Sequence, residues 1–359
     1  MRTTSPFQRI RINGNLLEGD AITRWSADLA ARVNAPWAFD LHRTLEDLVS
    51  GDGSLPATTS GTTGPPRSMR IPAADLIASA RLTANVFGLR SGDRALLCLP
   101  CTFIAGKMMV VRAFVTGLDL VAIDPTGPVL PRIAGLPPFR FATFVPQQFL
   151  TAMRTDANAV EHAFSTVLLG GGPVSDALIA ATEPLRIEVY HSYGSTETVT
   201  HVALRRLNGP QHSSMFTAIG DVTFAFDEQG RLIVHTPHLG TATHRTNDVV
   251  ELVDERRFHW LGRADHVILS GGLKIHPEQL EARTTGTIAP AHYFIGVPDE
   301  RLGQAVAIVL EAGSIGASER AELERRLATV LARHEMPRQW IVHRHLPRTS
   351  SGKVIRRAP

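Results

Sequence analysis

Four groups of residues in this chain have types and spacings suited to chemistry on phosphates and acids. Thr58 to Arg67 reads Thr-Thr-Ser-Gly-Thr-Thr-Gly-Pro-Pro-Arg. Gly61 and Gly64 let the backbone turn its N–H groups toward one point. The hydroxyls of Thr59, Ser60, Thr62 and Thr63 and the cation of Arg67 add donors, which is what a polyphosphate requires around it. The run is not the P-loop pattern, because Pro-Pro-Arg follows its second glycine; a flexible linker closed by a proline turn fits the same residues. Tyr193-Gly194-Ser195-Thr196-Glu197 offers a ring to stack on a base, hydroxyls, and a carboxylate to hold Mg²⁺ near phosphates. The same run also suits a turn opening an N-capped helix. Asp248 and Arg263 can each bond sugar hydroxyls or close a hairpin ion pair. Lys353, in Ser350-Ser351-Gly352-Lys353, taken alone is a solvated tail lysine.

The elements that would position these groups alternate. Pro72 to Gly88 has helical apolar spacing, residues 95–99 form a buried strand, and residues 106–115 form a helix stopped at Gly117. Strands at 118–123 and 141–145 follow. The strand 166–169 runs into Gly170-Gly171-Gly172, then a helix from Ser175 to Thr182 and a strand from Ile187 to Tyr190. This places Tyr193 to Glu197 in a strand-end loop. Strand, glycine turn and helix in alternation predict a mostly parallel α/β sheet with ligands at the carboxyl ends of its strands. After about Phe216 the pattern changes to hairpins, one around Asp227 to Gly230 and one at 248–261. The last third reads as a small α+β unit, with a helix near 277–283 and an amphipathic helix over 318–333. Residues 1–55 are irregular in pattern apart from a short strand at 10–12 and a helix at 21–33.

Composition narrows the class. Of 359 residues, 43% are hydrophobic and 20% charged, enough to build a large core. The net charge of +3 is small and its arginines are scattered, so no nucleic-acid face is indicated. No run is long and apolar enough to span a membrane, and no signal-peptide core opens the chain, which predicts a soluble, cytoplasmic protein. Cys98 and Cys101 have C-x-x-C spacing, but no second ligand pair accompanies them and Cys98 sits in an apolar run, so they read as core thiols.

Taken in order, Thr59–Arg67, Tyr193–Glu197, Asn247–Asp248, Gly262–Asp265, Ser270–Ile275 and Pro347–Lys353 closely resemble the ordered motifs of the acyl-adenylate-forming superfamily. The resemblance runs from about residue 55 to the end. Within the superfamily, residues 97–115, 192–210 and 262–281 are most similar to the o-succinylbenzoate–CoA ligase family of the menaquinone pathway, especially its short bacterial form. Ile104-Ala-Gly-Lys-Met-Met-Val-Val-Arg112 and Leu204-Arg-Arg-Leu-Asn-Gly-Pro210 carry that similarity.

The resemblance implies a large ATP- and acid-binding domain over 1–262, with a mostly parallel sheet plus hairpins. It also implies a small mobile α+β domain over 263–359 carrying the catalytic lysine, Lys353. ATP, Mg²⁺ and coenzyme A are the implied cofactors, and a small carboxylic acid is the substrate. By the same resemblance Thr59 to Gly64 and Arg67 hold the β and γ phosphates, Thr196 touches the α-phosphate and Glu197 holds the metal. Tyr193 stacks on adenine beside Gly170, Gly171 and Gly172, and Asp248 and Arg263 hold the ribose. Asp265 is the hinge, and Gly271 and Gly272 flank the CoA path. The second carboxylate of succinylbenzoate would need a cation or fixed donors, for which Lys107, Arg112, His201, Arg205 and Arg206 are candidates.

Three departures stand out. Arg67 replaces the usual lysine, Phe103-Ile104 replaces an aromatic–histidine pair, and the segment before the phosphate-like loop is short. A short segment would leave apolar surface to be covered by a homodimer partner or by local re-closure. Two competing readings are an adenylating enzyme for another aryl or fatty acid that loads the pantetheine of a carrier protein, and a non-catalytic nucleotide or acyl binder. Glu197, Asp248, Arg263 and Lys353 argue against the second.

Overall fold

The computed structural model describes residues 5–58, 67–348 and 354–356. Its main feature is a sheet of thirteen strands. Parallel ladders join Glu188–Ser195, Phe164–Leu169, Phe139–Phe144, Arg94–Leu97, Asp119–Ala122 and Arg9–Ile12 in that spatial order. Beyond Glu188–Ser195 every pairing is antiparallel, through Thr200–Arg206, Phe216–Ala218, Arg257–Arg263, Thr243–Asp254, Arg231–His235 and Thr223–Phe226. The hairpins expected after Phe216 therefore extend the parallel sheet instead of forming a sheet of their own.

The parallel part follows from its crossovers. The helix Ile104–Thr116 returns the chain from Arg94–Leu97 to Asp119–Ala122, and its residues Gly106 to Ala113 are all buried. Gly106 is required here, since a Cβ would lie 2.3 Å from Pro100 O. Gly117, in the left-handed region at φ 75°, ends the helix. Each fully buried Met or Val on this helix contributes about 1.5–3 kcal/mol. Cys98 and Cys101 are buried free thiols, and burial pushes Cys101 up to about 12 and raises Cys98 as well, as inert core residues should be.

Residues 5–55 are more regular than the sequence pattern suggests. Arg9–Ile12 and Asn15–Glu18 form a hairpin at the sheet edge, turned by Asn13 and Gly14 at φ 46° and 79°. Asn13 also bonds Leu120 O and Ala122. The helices Asp20–Val33 and Pro36–Ser50 follow, the second starting with proline in its first turn. Ile22, Leu41, Leu45 and Leu48 join the core that contains the helix Ile104–Thr116. A further unforeseen helix, Pro146–Ala163, is kinked at Asp156, where φ is −164°.

After Arg263 a short 3₁₀ turn, Ala264–His266, leads to a five-stranded sheet. It comprises Leu273–Ile275, Ile268–Ser270, Gly303–Glu311, His292–Asp299 and Gln339–His343. Helices Pro277–Thr284 and Ala317–Leu327 pack on it through Leu280, Leu323 and Leu327 against Phe294, Ile308 and Leu310. The second helix ends at Leu327, six residues before the expected Arg333, and the chain turns there. Among the described residues no helix is long and apolar enough to cross a membrane.

Candidate active site

One cleft collects most of the residues singled out above. Gly170 to Gly172, Tyr193, Thr196, Glu197, His201, Arg205, Arg112, Asp248 and Arg263 line it, as do Thr58 and Arg67. Thr58 pairs with Ser68 at the end of the ladder between Leu55–Thr58 and Ser68–Ile71, so both ends of the phosphate-like loop meet the cleft. Thr59, Ser60, Gly61, Thr62, Thr63, Gly64 and Lys353 lie outside the described residues.

Tyr193 to Ser195 belong to the strand Glu188–Ser195, and no helix follows. The chain turns at Thr196 to Val199 and returns antiparallel as Thr200–Arg206. Gly194 permits this, because a Cβ there would lie 1.9 Å from Thr200 O. The turn is laced by Ser195 N to Thr198 Oγ1 at 2.9 Å and Thr198 Oγ1 to Thr200 O at 2.8 Å. Ser79 Oγ holds Val199 O at 2.7 Å. Val199 and Thr200 sit at φ 50° and 84°, a conformation unfavourable for β-branched residues. The packing therefore holds strained backbone beside Thr196 and Glu197, at the place where both face the cleft.

Asp248 and Arg263 stand opposite each other across the hairpin ladder. Tyr193 Oη donates to Asp248 Oδ2 at 2.6 Å, Trp260 Nε1 donates to Oδ1 at 3.3 Å, and Arg263 Nη1 lies 3.7 Å from Oδ1. Arg263 Nε also donates to Asp265 Oδ1 at 3.2 Å. Burial, then the neighbouring Asp248 carboxylate, raises the Tyr193 phenol well above its ordinary value. The Tyr193 ring packs edge-on to Phe258 at 5.1 Å. Trp260 is a member of this group that the motif reading missed.

Glycines 170–172 follow the strand Phe164–Leu169, and Ser192 Oγ donates to Leu169 O at 2.9 Å beneath them. His191 lies two residues before Tyr193 on the same face of the strand, so alternation could have revealed it. Arg205 Nε donates to His191 Nδ1 at 3.2 Å, which leaves Nε2 to donate to Gly172 O at 3.1 Å. Burial and then Arg205 depress His191 to about 3, so the ring is neutral. Burial also lowers Arg205 to about 10, and its guanidinium lies over Phe216 at 5.1 Å.

The five candidate cations separate. Lys107 does not line the cleft; it is buried and its Nζ donates to Pro56 O at 2.5 Å. Arg206 pairs with Glu188 at 3.0 Å, also away from the cleft. His201 is buried against Thr83 Oγ1 at 3.3 Å, and burial drives it well below its ordinary value. Arg112 is only 2% exposed, and burial lowers it to about 9, still charged at neutral pH.

Asp265 lies in the 3₁₀ turn between the two sheets. Beside it His266 Nδ1 meets Glu278 Oε1 at 2.5 Å, and Arg356 pairs with Glu281 at 2.5 Å and Glu278 at 3.6 Å. Gly271 and Gly272, at φ 57° and 83°, form the tip between Ile268–Ser270 and Leu273–Ile275 and do not line the cleft. Among the described residues no three His, Cys, Asp or Glu side chains cluster to hold a metal. Glu197, which lines the cleft, is a carboxylate that would share a magnesium ion's shell with ligand phosphates and waters.

The model of the AMP-binding enzyme family matches residues 29–231. A probable 2-succinylbenzoate–CoA ligase of Mycobacterium tuberculosis (strain ATCC 25618 / H37Rv) is 30% identical over 346 residues, covering 87% of this chain and 85% of that protein. The crystal structure of an acyl-CoA synthetase (AMP-forming)/AMP-acid ligase II-like protein from Dyadobacter fermentans DSM 18053 is 33% identical with a TM-score of 0.58, covering 89% of this chain and 92% of that one. The o-succinylbenzoate CoA synthetase of Bacillus subtilis, in complex with an acyl-adenylate intermediate, shares the fold with a TM-score of 0.72 at 22% identity, covering 84% and 67% of the two chains.

Proposed function

The chain belongs to the AMP-binding enzyme family, and from that premise we propose that it is an ATP-dependent acid–thiol ligase acting on o-succinylbenzoate and coenzyme A. The observation that carries the reading is the convergence of Gly170 to Gly172, Tyr193 to Glu197, the Asp248–Arg263 pair and both ends of the loop 59–66 on one cleft. The relative at 30% identity, named for 2-succinylbenzoate, favours this acid.

A carboxylate cannot acylate a thiol directly, because its leaving group would be oxide. Its oxygen attacks the α-phosphorus of ATP, the bond to the β-phosphate oxygen breaks, and pyrophosphate leaves an acyl-adenylate. The thiol sulfur then attacks the acyl carbon and AMP departs. In this proposal the loop 59–64 and Arg67 hold the outer phosphates, and Thr196 bonds the α-phosphate. Tyr193 stacks beside Gly170 to Gly172 on the base, while Asp248 and Arg263 hold the ribose. Magnesium, when bound at Glu197, neutralises phosphate charge. Lys353 places its ammonium between carboxylate and α-phosphate, where charge develops. Residues 263–359 form the small domain that turns about Asp265 between the half-reactions, bringing Gly271 and Gly272 to the thiol path. The N-terminal helices supply local covering of apolar surface; a homodimer remains the other proposed means, read by sedimentation velocity.

Pyrophosphate release against a panel of acids, with and without CoA, tests the function. We expect pyrophosphate, AMP and a thioester from o-succinylbenzoate with CoA. If this acid is inert while another aryl or fatty acid turns over, the choice of acid is wrong and family membership alone stands. Thioester formation only on a carrier protein would replace CoA as the acceptor.

A further inference from the structure

Ser79 sits in the middle of the helix Ala73–Phe87 and is 3% exposed. A serine or threonine inside a helix commonly turns its hydroxyl back to the carbonyl one turn earlier. The buried hydroxyls of Thr83 and Thr44 do this, donating to Ser79 O at 3.0 Å and to Asp40 O at 2.8 Å. Ser79 instead sends its Oγ across to another element, where it donates to Val199 O at 2.7 Å. Among the described residues this is the only hydrogen bond that reaches the backbone of residues 196–199 from outside the run 195–200.

The bond falls on one particular peptide. Val199 O belongs to the peptide that joins Val199 and Thr200, the two β-branched residues at φ 50° and 84°. Turning that peptide over by about 180° would carry φ of Thr200 from 84° to about −96°, which is ordinary backbone. The bonds inside the turn use Ser195, Thr198 and Thr200 O and leave the Val199 carbonyl to Ser79. Arg112 Nη2 holds the Thr200 side chain at 3.1 Å, not this peptide. Thr196 and Glu197 stand just ahead of it in the same turn, facing the cleft.

We infer that Ser79 is a positioning residue for adenylate formation. From a packed helix its hydroxyl holds the 199–200 peptide in the strained orientation that presents Thr196 and Glu197 to the α-phosphate and its metal. This rests on the acid–thiol ligase reading above. Ser79 touches no substrate and acts through Val199. Displacing reacting groups by about 1 Å can cost about 100-fold in rate, so a hydroxyl remote from the chemistry can govern it.

The test sets Ser79→Ala beside Thr44→Val, which also deletes a buried helix hydroxyl but at a residue that does not line the cleft. Pyrophosphate release with o-succinylbenzoate and calorimetric binding of ATP, with and without Mg²⁺, are measured on both. Ser79→Ala should lower kcat by about 100-fold with KM for the acid within about twofold. It should also lose most of the gain in ATP affinity that Mg²⁺ gives the wild type, because Glu197 no longer faces the metal. Ser79→Thr, which keeps a hydroxyl, should retain most of both. Thr44→Val should lower Tm about as much as Ser79→Ala yet keep kcat and the Mg²⁺ gain near wild type. Equal kcat losses in Ser79→Ala and Thr44→Val overturn the inference, since a hydroxyl that only supports the fold would act that way. An unchanged Mg²⁺ gain in Ser79→Ala, or a wild type whose ATP affinity Mg²⁺ does not raise, overturns it as well. If Ser79→Ala does not fold, Ser79→Cys, which fills the space with a weak donor, takes its place. A wild type that binds ATP but releases no pyrophosphate with any acid refutes the ligase reading; the Mg²⁺ gain then decides Ser79, supporting it if lost in Ser79→Ala and refuting it if kept. A wild type that binds no ATP refutes both.

Discussion

Replacing Asp248 with alanine would expose what the hairpin pair contributes. The substitution removes the acceptor of the Tyr193 phenol, which is held at 2.6 Å. Leaving that donor without a partner in a half-buried site costs about 1–3 kcal/mol. Loss of the longer Trp260 bond, at 3.3 Å, adds about 0.5–1 kcal/mol. Arg263 keeps Asp265 at 3.2 Å, so its loss adds less than about 1 kcal/mol. The sum is about 2–5 kcal/mol, or roughly 2–7 °C in Tm for a chain of this size. Tyr193→Phe removes only the hydroxyl and should cost about 1 kcal/mol, because Asp248 keeps Trp260 and Arg263. The double variant should then show about 1–2 kcal/mol of coupling in urea unfolding. Additive losses would refute the clasp drawn here. Activity separates support from binding. If Asp248 also holds ribose, Asp248→Ala should lower kcat/KM for ATP at least about tenfold more than Tyr193→Phe does. Equal losses would mean that Asp248 only orients Tyr193.

Gly194→Ala should slow pyrophosphate release more than about 100-fold and lower Tm by several degrees, because its Cβ would lie 1.9 Å from Thr200 O; wild-type-like activity would refute the tight turn. His191, depressed to about 3, remains neutral in the folded chain while the unfolded chain takes up a proton below about 6.5. Its stabilising contribution is therefore complete above about pH 6.5 and is lost as pH falls toward 3, by about 2 kcal/mol at pH 5. Urea unfolding of wild type and His191→Gln at pH 7.5 and 5 should show the variant losing less on acidification, and parallel losses would refute this. Lys353→Ala should abolish acyl-adenylate formation yet convert supplied acyl-adenylate and CoA to thioester at nearly the normal rate. Gly271→Leu should do the reverse, and single-turnover assays showing equal damage to both half-reactions would refute a division by rotation.

The alternation of strand, glycine and helix from Ala73 to Glu188 was legible because its apolar residues keep one period per element and Gly88 and Gly117 close helices in left-handed geometry. The sequence reading misses the helix Pro36–Ser50, although Ala38, Leu41, Leu45 and Leu48 stand buried at helical spacing behind an initial proline. Pro146–Ala163 was not legible: Asp156 breaks its period and recaps its second half by accepting from Ala159 N at 2.9 Å. The sequence pattern places Tyr193 in a loop because local pattern cannot show the crossing backbone that makes Gly194 necessary. Asp248 and Arg263 were each visible, but only the ladder register sets them face to face. Likewise the sequence offers Lys107 and Arg112 as equal cations on one helix, and burial alone turns one to Pro56 and the other to the cleft.

The edge hairpin has a consequence for the timing of synthesis. Arg9–Ile12 and Asn15–Glu18 pair locally as soon as both have emerged, yet their place in the sheet is made by Asp119–Ala122, through Arg11 beside Asp119 and Ile12 beside Leu120. At about 5–20 residues per second the ribosome needs on the order of ten seconds to make the intervening chain. Throughout that interval Phe7, Ile10 and Ile12, which the finished molecule buries almost completely, have no sheet to enter. The hairpin thus waits roughly 110 residues of synthesis for its neighbour, and the nascent chain carries an apolar, unpaired strand edge until residue 122 is free.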